Sequence, residues 1–157
     1  MAVHFQDNSI EVKAALNRTT VAWLHEWAIT IVSHAASNCQ MEGDKGQLRG
    51  SYRADVNDGA GEAKIGTPLE SGYWEEFGTG EYAAHGDGRK GWWVYKDGYR
   101  GKGGKVLTER QAKAMAAADP TVHATNGRKP SYTLEKAFTA NKAKALADLE
   151  RKLKGMG

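Results

Sequence analysis

Apolar side chains recur at threes and fours along the first quarter of the chain: Val12, Leu16, Trp23, Trp27, Ile31 and Ala35, with Leu24, Ile29 and Val32 widening the stripe. This period predicts one long helix over roughly Ile10 to Ser37. Asp7, Asn8 and Ser9 are each competent to cap its start. The β-branched run Thr19-Thr20-Val21 lowers helix propensity a little at its middle. At about 1.5 Å per residue the helix extends about 40 Å, longer than a small core needs, so part of its stripe is expected to face another subunit.

The pattern then changes. Gln47 to Asp55 and Gly61 to Thr67 read as two strands with sparse apolar positions, joined by the turn Asn57-Asp58-Gly59-Ala60, whose Asp-Gly step is a strong hairpin signal. Pro68 ends the ladder, and Leu69 to Phe77 reads as a short helical turn. A glycine-rich loop from Gly78 to Gly91 leads into Gly91-Trp92-Trp93-Val94-Tyr95, the clearest strand in the chain. Gly98 to Gly104 is a basic, flexible connection. Thr108-Glu109-Arg110-Gln111 fits a capping box, which places a helix over Glu109 to Ala118, stopped before Asp119-Pro120. His123 to Pro130 reads as a loop. Ser131 is the expected cap of a final helix running to about Lys154, with Leu134, Phe138, Ala145, Leu146, Leu149 and Leu153 as its apolar stripe and Gly155 as its stop. The resulting fold class is α+β, an antiparallel sheet packed by a long N-terminal and a C-terminal helix.

One stretch, Lys64 to Lys96, concentrates three of the five tryptophans among closely spaced glycines. Glycine weakens regular structure unless the backbone must turn or approach something closely, and aromatics supply the largest apolar areas. A bent, aromatic-anchored sheet satisfies both. Within it, Gly86-Asp87-Gly88-Arg89-Lys90-Gly91 matches G-x-G-x-x-G formally, but a strand follows it where a dinucleotide fingerprint needs a helix. No cofactor is expected.

Composition alters this picture little. The 157 residues, 40% hydrophobic and 26% charged, fit one domain with its own core. A net charge of +3 tolerates contact with nucleic acid without requiring it. The lone Cys39 forms no internal disulfide and points to a reducing compartment. No signal-peptide pattern and no membrane-spanning apolar run is found, so a soluble protein made in the cytoplasm is expected, with no membrane partner. The five histidines lack ligand spacing, and no nucleophile elbow or reactive-cysteine context is present, so no metal, no catalytic residue and no enzyme activity is expected. Glu75 and Glu76, beside His85 and Asp87, could be drawn as an acid–base cluster; adjacent residues diverge in direction, and all four are read as solvated. Arg89, Lys90, Lys96, Arg100, Lys102 and Lys105, interleaved with Trp92, Trp93, Tyr95 and Tyr99, form a candidate nucleic-acid surface. The competing reading, core and interface aromatics with a solvated lysine rim, is favoured by the balancing Asp87 and Asp97.

Several segments together resemble a known family. Gln47-Leu48-Arg49-Gly50-Ser51 is similar to the "G-x-L-R-x-S" strand of small neck and tail-completion proteins of long-tailed phages, the gene-product-ten-like family of lambdoid phages. Ile65-Gly66-Thr67 followed by Tyr73-Trp74-Glu75-Glu76-Phe77-Gly78-Thr79-Gly80 resembles its "v-G-T…Y-a-x-x-v-E-F-G-T-G" signature. Gly88 to Tyr95 resembles its "G-R-K-G-G-W-V-Y" segment. His123 to Pro130 followed by a basic helix resembles its ending. The resemblance covers nearly the whole chain in order, with the Glu109 to Ala118 helix inside an insertion near 98–130. It implies a structural virion protein at the head–tail junction, forming a homo-oligomeric ring, hexameric or a multiple, beside other neck and tail proteins, with genomic DNA passing the lumen. On that basis Glu76, Phe77, Gly78, Thr79 and Gly80 are expected to form a fold-defining turn near a subunit boundary. Arg89, Lys90, Trp92, Trp93, Tyr95, Tyr99, Arg100 and Lys102 are candidate contacts to neighbouring ring proteins or the lumen.

Overall fold

A computed structural model describes residues 9–41, 46–97 and 105–156. The chain is α+β. Helix α1 (Ser9–Asn38) is followed by the short α2 (Gln47–Ser51), an antiparallel hairpin of β1 (Arg53–Asn57) and β2 (Glu62–Gly66), and α3 (Glu70–Phe77). A 3-10 turn at Gly80–Tyr82 leads to β3 (Trp93–Lys96), α4 (Glu109–Ala118), β4 (Val122–Thr125) and the long α5 (Thr133–Lys154). The strands do not form one sheet. Among the described residues β1 pairs only with β2, and β3 with β4, each antiparallel. Trp92 adds a single bridge to Leu107.

α1 and α5 lie antiparallel, the second half of α1 tied along the length of α5. Asn38 Nδ2 donates to Thr133 O, His34 Nδ1 meets Asn141 Nδ2 at 2.7 Å, and Lys152 Nζ meets Glu26 Oε2 at 2.5 Å. The indole N–H of Trp23 donates to Ala145 O and that of Trp27 to the Asp148 carboxylate. The two α1 tryptophans therefore spend their polar atoms on α5 while their rings fill the seam. The core lies beneath, where Ile31, Ala35 and Cys39 of the α1 end meet Leu48, Tyr52 and Ala137, with Ile65, Leu69 and Leu134 packed around them. The hairpin adds its inner face: Ala54, Val56, Ala63 and Ile65 are half-buried, while Arg53, Asp55, Glu62 and Lys64 alternate outward.

Three expectations from the sequence need correction. Gln47 to Ser51 is helix, and the strand begins only at Arg53. Its apolar pair Leu48 and Tyr52, four apart, fits a helix turn as well as a strand face, and burial of both against α1 decides for the helix. Gly46, at φ 81°, starts that turn in a conformation glycine adopts at no steric cost. His123 to Thr125, the start of the expected loop, form strand β4 with Val122, paired residue by residue with Trp93 to Lys96. Ser131 does not cap the last helix. The N-cap is Tyr132, the one non-glycine residue with positive φ (50°) among the described residues, and its side chain makes no cap bond. The long N-terminal helix, the Asn57–Ala60 turn region, the Glu109–Ala118 helix and its Thr108–Gln111 capping box are found as read.

Candidate functional site

Glu75 and Glu76, taken from the sequence as solvated, are buried. Glu75 is 0% exposed and Glu76 7%. Both sit in the last turn of α3, facing the start of α5. Glu76 Oε2 accepts from Leu134 N at 2.7 Å and its Oε1 from Glu135 N at 3.0 Å. The helix N-terminus thus receives its missing acceptors, and a negative charge at its positive end, from a residue almost sixty positions upstream. Glu75 Oε1 accepts from Gln40 N at 2.7 Å, with Thr133 Oγ1 at 3.4 Å. Glu75 Oε2 has no partner in hydrogen-bonding geometry; its charge is balanced by Arg128 Nη2, 2.5 Å away. Burial, with Cys39, Glu75 and Glu76 close by, pushes the nearby Tyr52 phenol far up, so it stays neutral.

The backbones on either side are laced together. Ser131 N donates to Glu75 O, Tyr132 N to Glu76 O, Thr79 N to Arg128 O and Glu81 N to Asn126 O. Arg128 N in turn donates to Thr79 Oγ1 at 3.0 Å. Two glycines make this approach possible. A Cβ on Gly80 would come within 2.2 Å of Asn126 O, and one on Gly127 within 2.1 Å of Thr79 O. The Glu76-Phe77-Gly78-Thr79-Gly80 run is therefore a clasp that fixes the chain entering the last helix. Phe77 alone of the five uses its side chain for apolar packing, 5.0 Å from the Tyr73 ring and 4.8 Å from His85.

Above the clasp opens a cleft of about 840 Å³ between α3 and β3. It brings together Gly78, Thr79, Gly80, Arg89, Trp93 and Tyr95 of the residues singled out from the sequence. The Arg89 guanidinium lies 5.1 Å over the Trp93 ring. Trp92 faces elsewhere, with Lys113 Nζ 5.4 Å over its ring, and Lys90 is exposed outside the cleft. Tyr99, Arg100, Lys102 and the Gly98–Gly104 connection lie outside the described residues. Arg128, Tyr73, Trp74 and Glu70 also line the cleft without having been singled out for it. Arg128 carried no local signal, because its partner Glu75 is distant in sequence. The exposure of Tyr73 and Trp74 follows from α3 being a full helix that turns only Gly72, Glu75 and Glu76 fully inward.

Of the cations that line the cleft, Arg128 faces Glu75; on the ribbon and helix α4, Lys96 faces Asp119 and Lys113 faces Glu109. Glu70 and Asp87 stand on the cleft itself. Among the described residues no group of three His, Cys, Asp or Glu side chains is arranged to hold a metal ion, and no helix is long and apolar enough to cross a membrane. Comparison with protein families, curated proteins and solved structures finds no match to this chain.

Proposed function

We propose that this chain is a structural virion protein that assembles into a ring at the head–tail junction of a long-tailed phage. The support is a convergence. Of the segments that carry the resemblance, three that are far apart in sequence, Gly78–Gly80, the Arg89–Trp93 pair and Asn126–Pro130, meet at one place, whereas Gln47–Ser51 is a helix beside the core and not the strand the resemblance implies. A family signature made of fold-defining residues has this property. Among the described residues, strand edges with no ladder partner on two small ribbons suit pairing across subunits, and ring contacts of the head-to-tail kind need two different surfaces on each copy. Neck and tail proteins are the partners of this reading, with a sixfold ring or its multiple and DNA in its lumen.

The experiment is a particle lacking this protein, together with the purified protein mixed with its neck partners. Unjoined heads and tails, and rings by negative-stain microscopy, are the expected results. Joined particles without it, and a protein that stays monomeric beside its partners, would sink the reading. A stand-alone nucleic-acid module is the weaker reading, since Lys96 of the candidate cations faces Asp119 and the acids Glu70 and Asp87 stand on the cleft. A filter-binding titration with salt-dependent affinity at low salt would revive it.

A further inference from the structure

The cleft of about 840 Å³ between α3 and β3 falls within the range of small-molecule sites, about 300–1,000 Å³. Four aromatic side chains line it, Tyr73 and Trp74 from α3 and Trp93 and Tyr95 from β3. Three of them keep large areas in water: Tyr73 is 49% exposed, Trp74 41% and Tyr95 45%. Wet aromatic faces gathered on one concave surface are unspent apolar area of a flat kind. Two acids, Glu70 and Asp87, and two arginines, Arg89 and Arg128, stand on the same lining. The Arg89 guanidinium is laid over the Trp93 ring. Arg128 is set in place from below, its Nη2 2.5 Å from the carboxylate of the fully buried Glu75.

These charges select a ligand by sign. Glu70 and Asp87 disfavour a phosphate or carboxylate in the cleft, and Arg89 and Arg128 disfavour an ammonium. A neutral ligand meets neither cost. Recognition of a peptide main chain is closed as well, because the clasp beneath the cleft spends its backbone groups on itself. Thr79 N donates to Arg128 O, Arg128 N to Thr79 Oγ1, Glu81 N to Asn126 O and Gly127 N to Thr125 Oγ1. Strand addition needs such groups unpaired. Polar recognition then falls to side chains that work in pairs of atoms, carboxylates that accept twice and guanidiniums that donate in a fork. Two neighbouring hydroxyls on a saturated ring are the neutral complement of both. The C–H face of that ring is flat and apolar, and it fits the face of an aromatic side chain.

We infer that the cleft between α3 and β3 binds a neutral carbohydrate, with sugar rings laid on the exposed faces of Trp74 and Tyr95 and hydroxyl pairs held by Glu70, Asp87 and Arg128. Each hydroxyl exchanges a water hydrogen bond for a protein one at small net gain, so the affinity is modest, with Kd about 0.1–1 mM. The site is complete within one chain and does not rest on the ring reading.

The test titrates the full-length protein with three neutral trisaccharides, maltotriose, cellotriose and chitotriose. Binding is followed by NMR of the tryptophan indole N–H signals. Adenosine monophosphate, choline and blocked pentaglycine serve as the anionic, cationic and main-chain probes. At least one trisaccharide is expected to bind with Kd about 0.1–1 mM. It shifts the indoles of Trp74 and Trp93 and leaves those of Trp23 and Trp27, which are bonded to α5, in place. The affinity is expected to hold between about 0.1 and 1 M salt, as it does for an uncharged ligand. Trp74→Ala and Asp87→Ala, both at exposed positions and checked for folding by circular dichroism, are each expected to weaken it at least about tenfold. The indole map is read on wild type, so it decides whether or not either variant folds. The inference is overturned if none of the three trisaccharides binds by about 10 mM, or if the shifts fall on Trp23 and Trp27. Tighter binding of adenosine monophosphate, choline or pentaglycine than of any trisaccharide overturns it, as do two folded variants that bind like wild type.

Discussion

Replacing Glu76 separates the clasp from every local explanation of the last helix. The carboxylate accepts from two backbone N–H groups of α5, Leu134 N at 2.7 Å and Glu135 N at 3.0 Å, in a part-buried setting. Hydrogen bonds to an ionised acceptor contribute about 1.5–3 kcal/mol each. Glu76→Ala removes both, and rehydration of the freed N–H groups recovers some of the loss, which leaves about 3–5 kcal/mol. Glu76→Gln keeps one acceptor but loses the charge opposite the helix dipole, and is expected to cost roughly half as much. Against a total stability of about 5–15 kcal/mol the alanine variant is severe. For a chain of this size it lowers the melting temperature by about 6–20 °C. Urea unfolding followed by tryptophan fluorescence gives the free energies. Two controls sharpen the measurement. Glu135→Ala, an exposed acid in the same helix turn, is expected to cost under about 1 kcal/mol. Ser131→Ala removes the residue that the sequence alone would make the cap, and is expected to cost under about 0.5 kcal/mol. A Glu76→Ala protein within about 0.5 kcal/mol of wild type, or a Ser131→Ala protein the less stable of the two, would refute the argument.

Three further outcomes follow from the same geometry. Gly80→Ala and Gly127→Ala each drive a Cβ into backbone at 2.2 and 2.1 Å and are expected to cost at least about 3 kcal/mol by urea midpoint; Gly86→Ala, at φ 72° with open space around it, is expected to cost only about 1–2 kcal/mol. Arg128→Ala strips the buried Glu75 of its counter-charge and is expected to cost about 3–5 kcal/mol, while Arg89→Ala on the same cleft loses a surface stack and under about 1 kcal/mol. The Trp27 indole N–H, followed by Lys152 and Arg151, holds the Asp148 carboxyl down to about 2 from an ordinary 3.8. Its contribution is therefore fully present above about pH 4. It fades as the pH falls through about 2, and Asp148→Asn is expected to flatten that limb of the stability curve measured by Trp fluorescence.

What could be read from the sequence was whatever is encoded locally. The α1 stripe, the Asn57–Ala60 turn and the Thr108–Gln111 capping box each state their structure within a few residues, and each is found. What was missed depends on partners far along the chain. Glu75 and Glu76 look like any surface pair until Arg128 and the α5 N-terminus are placed beside them. Ser131 has the right chemistry for a cap, yet Glu76 reaches the same N–H groups and brings a charge. β4 carries only Val122 and Ala124 as apolar residues and becomes a strand because β3 lies alongside it. The aromatic strand suggested one sheet, but Pro68 and α3 intervene between the two ribbons.

The clasp has a topological consequence. It joins the end of α3 to the start of α5, so everything between Glu81 and Thr125 is a closed excursion that leaves and returns through one gate. The entropy of closing such a loop grows only logarithmically, about 0.6 kcal/mol for each doubling of its length. Once the gate is fastened by Thr79, Gly80, Gly127 and Arg128, the excursion can lengthen, shorten or exchange its contents at little thermodynamic cost to the α1–α5 half. The excursion and the α1–α5 frame are thereby separated at four residues.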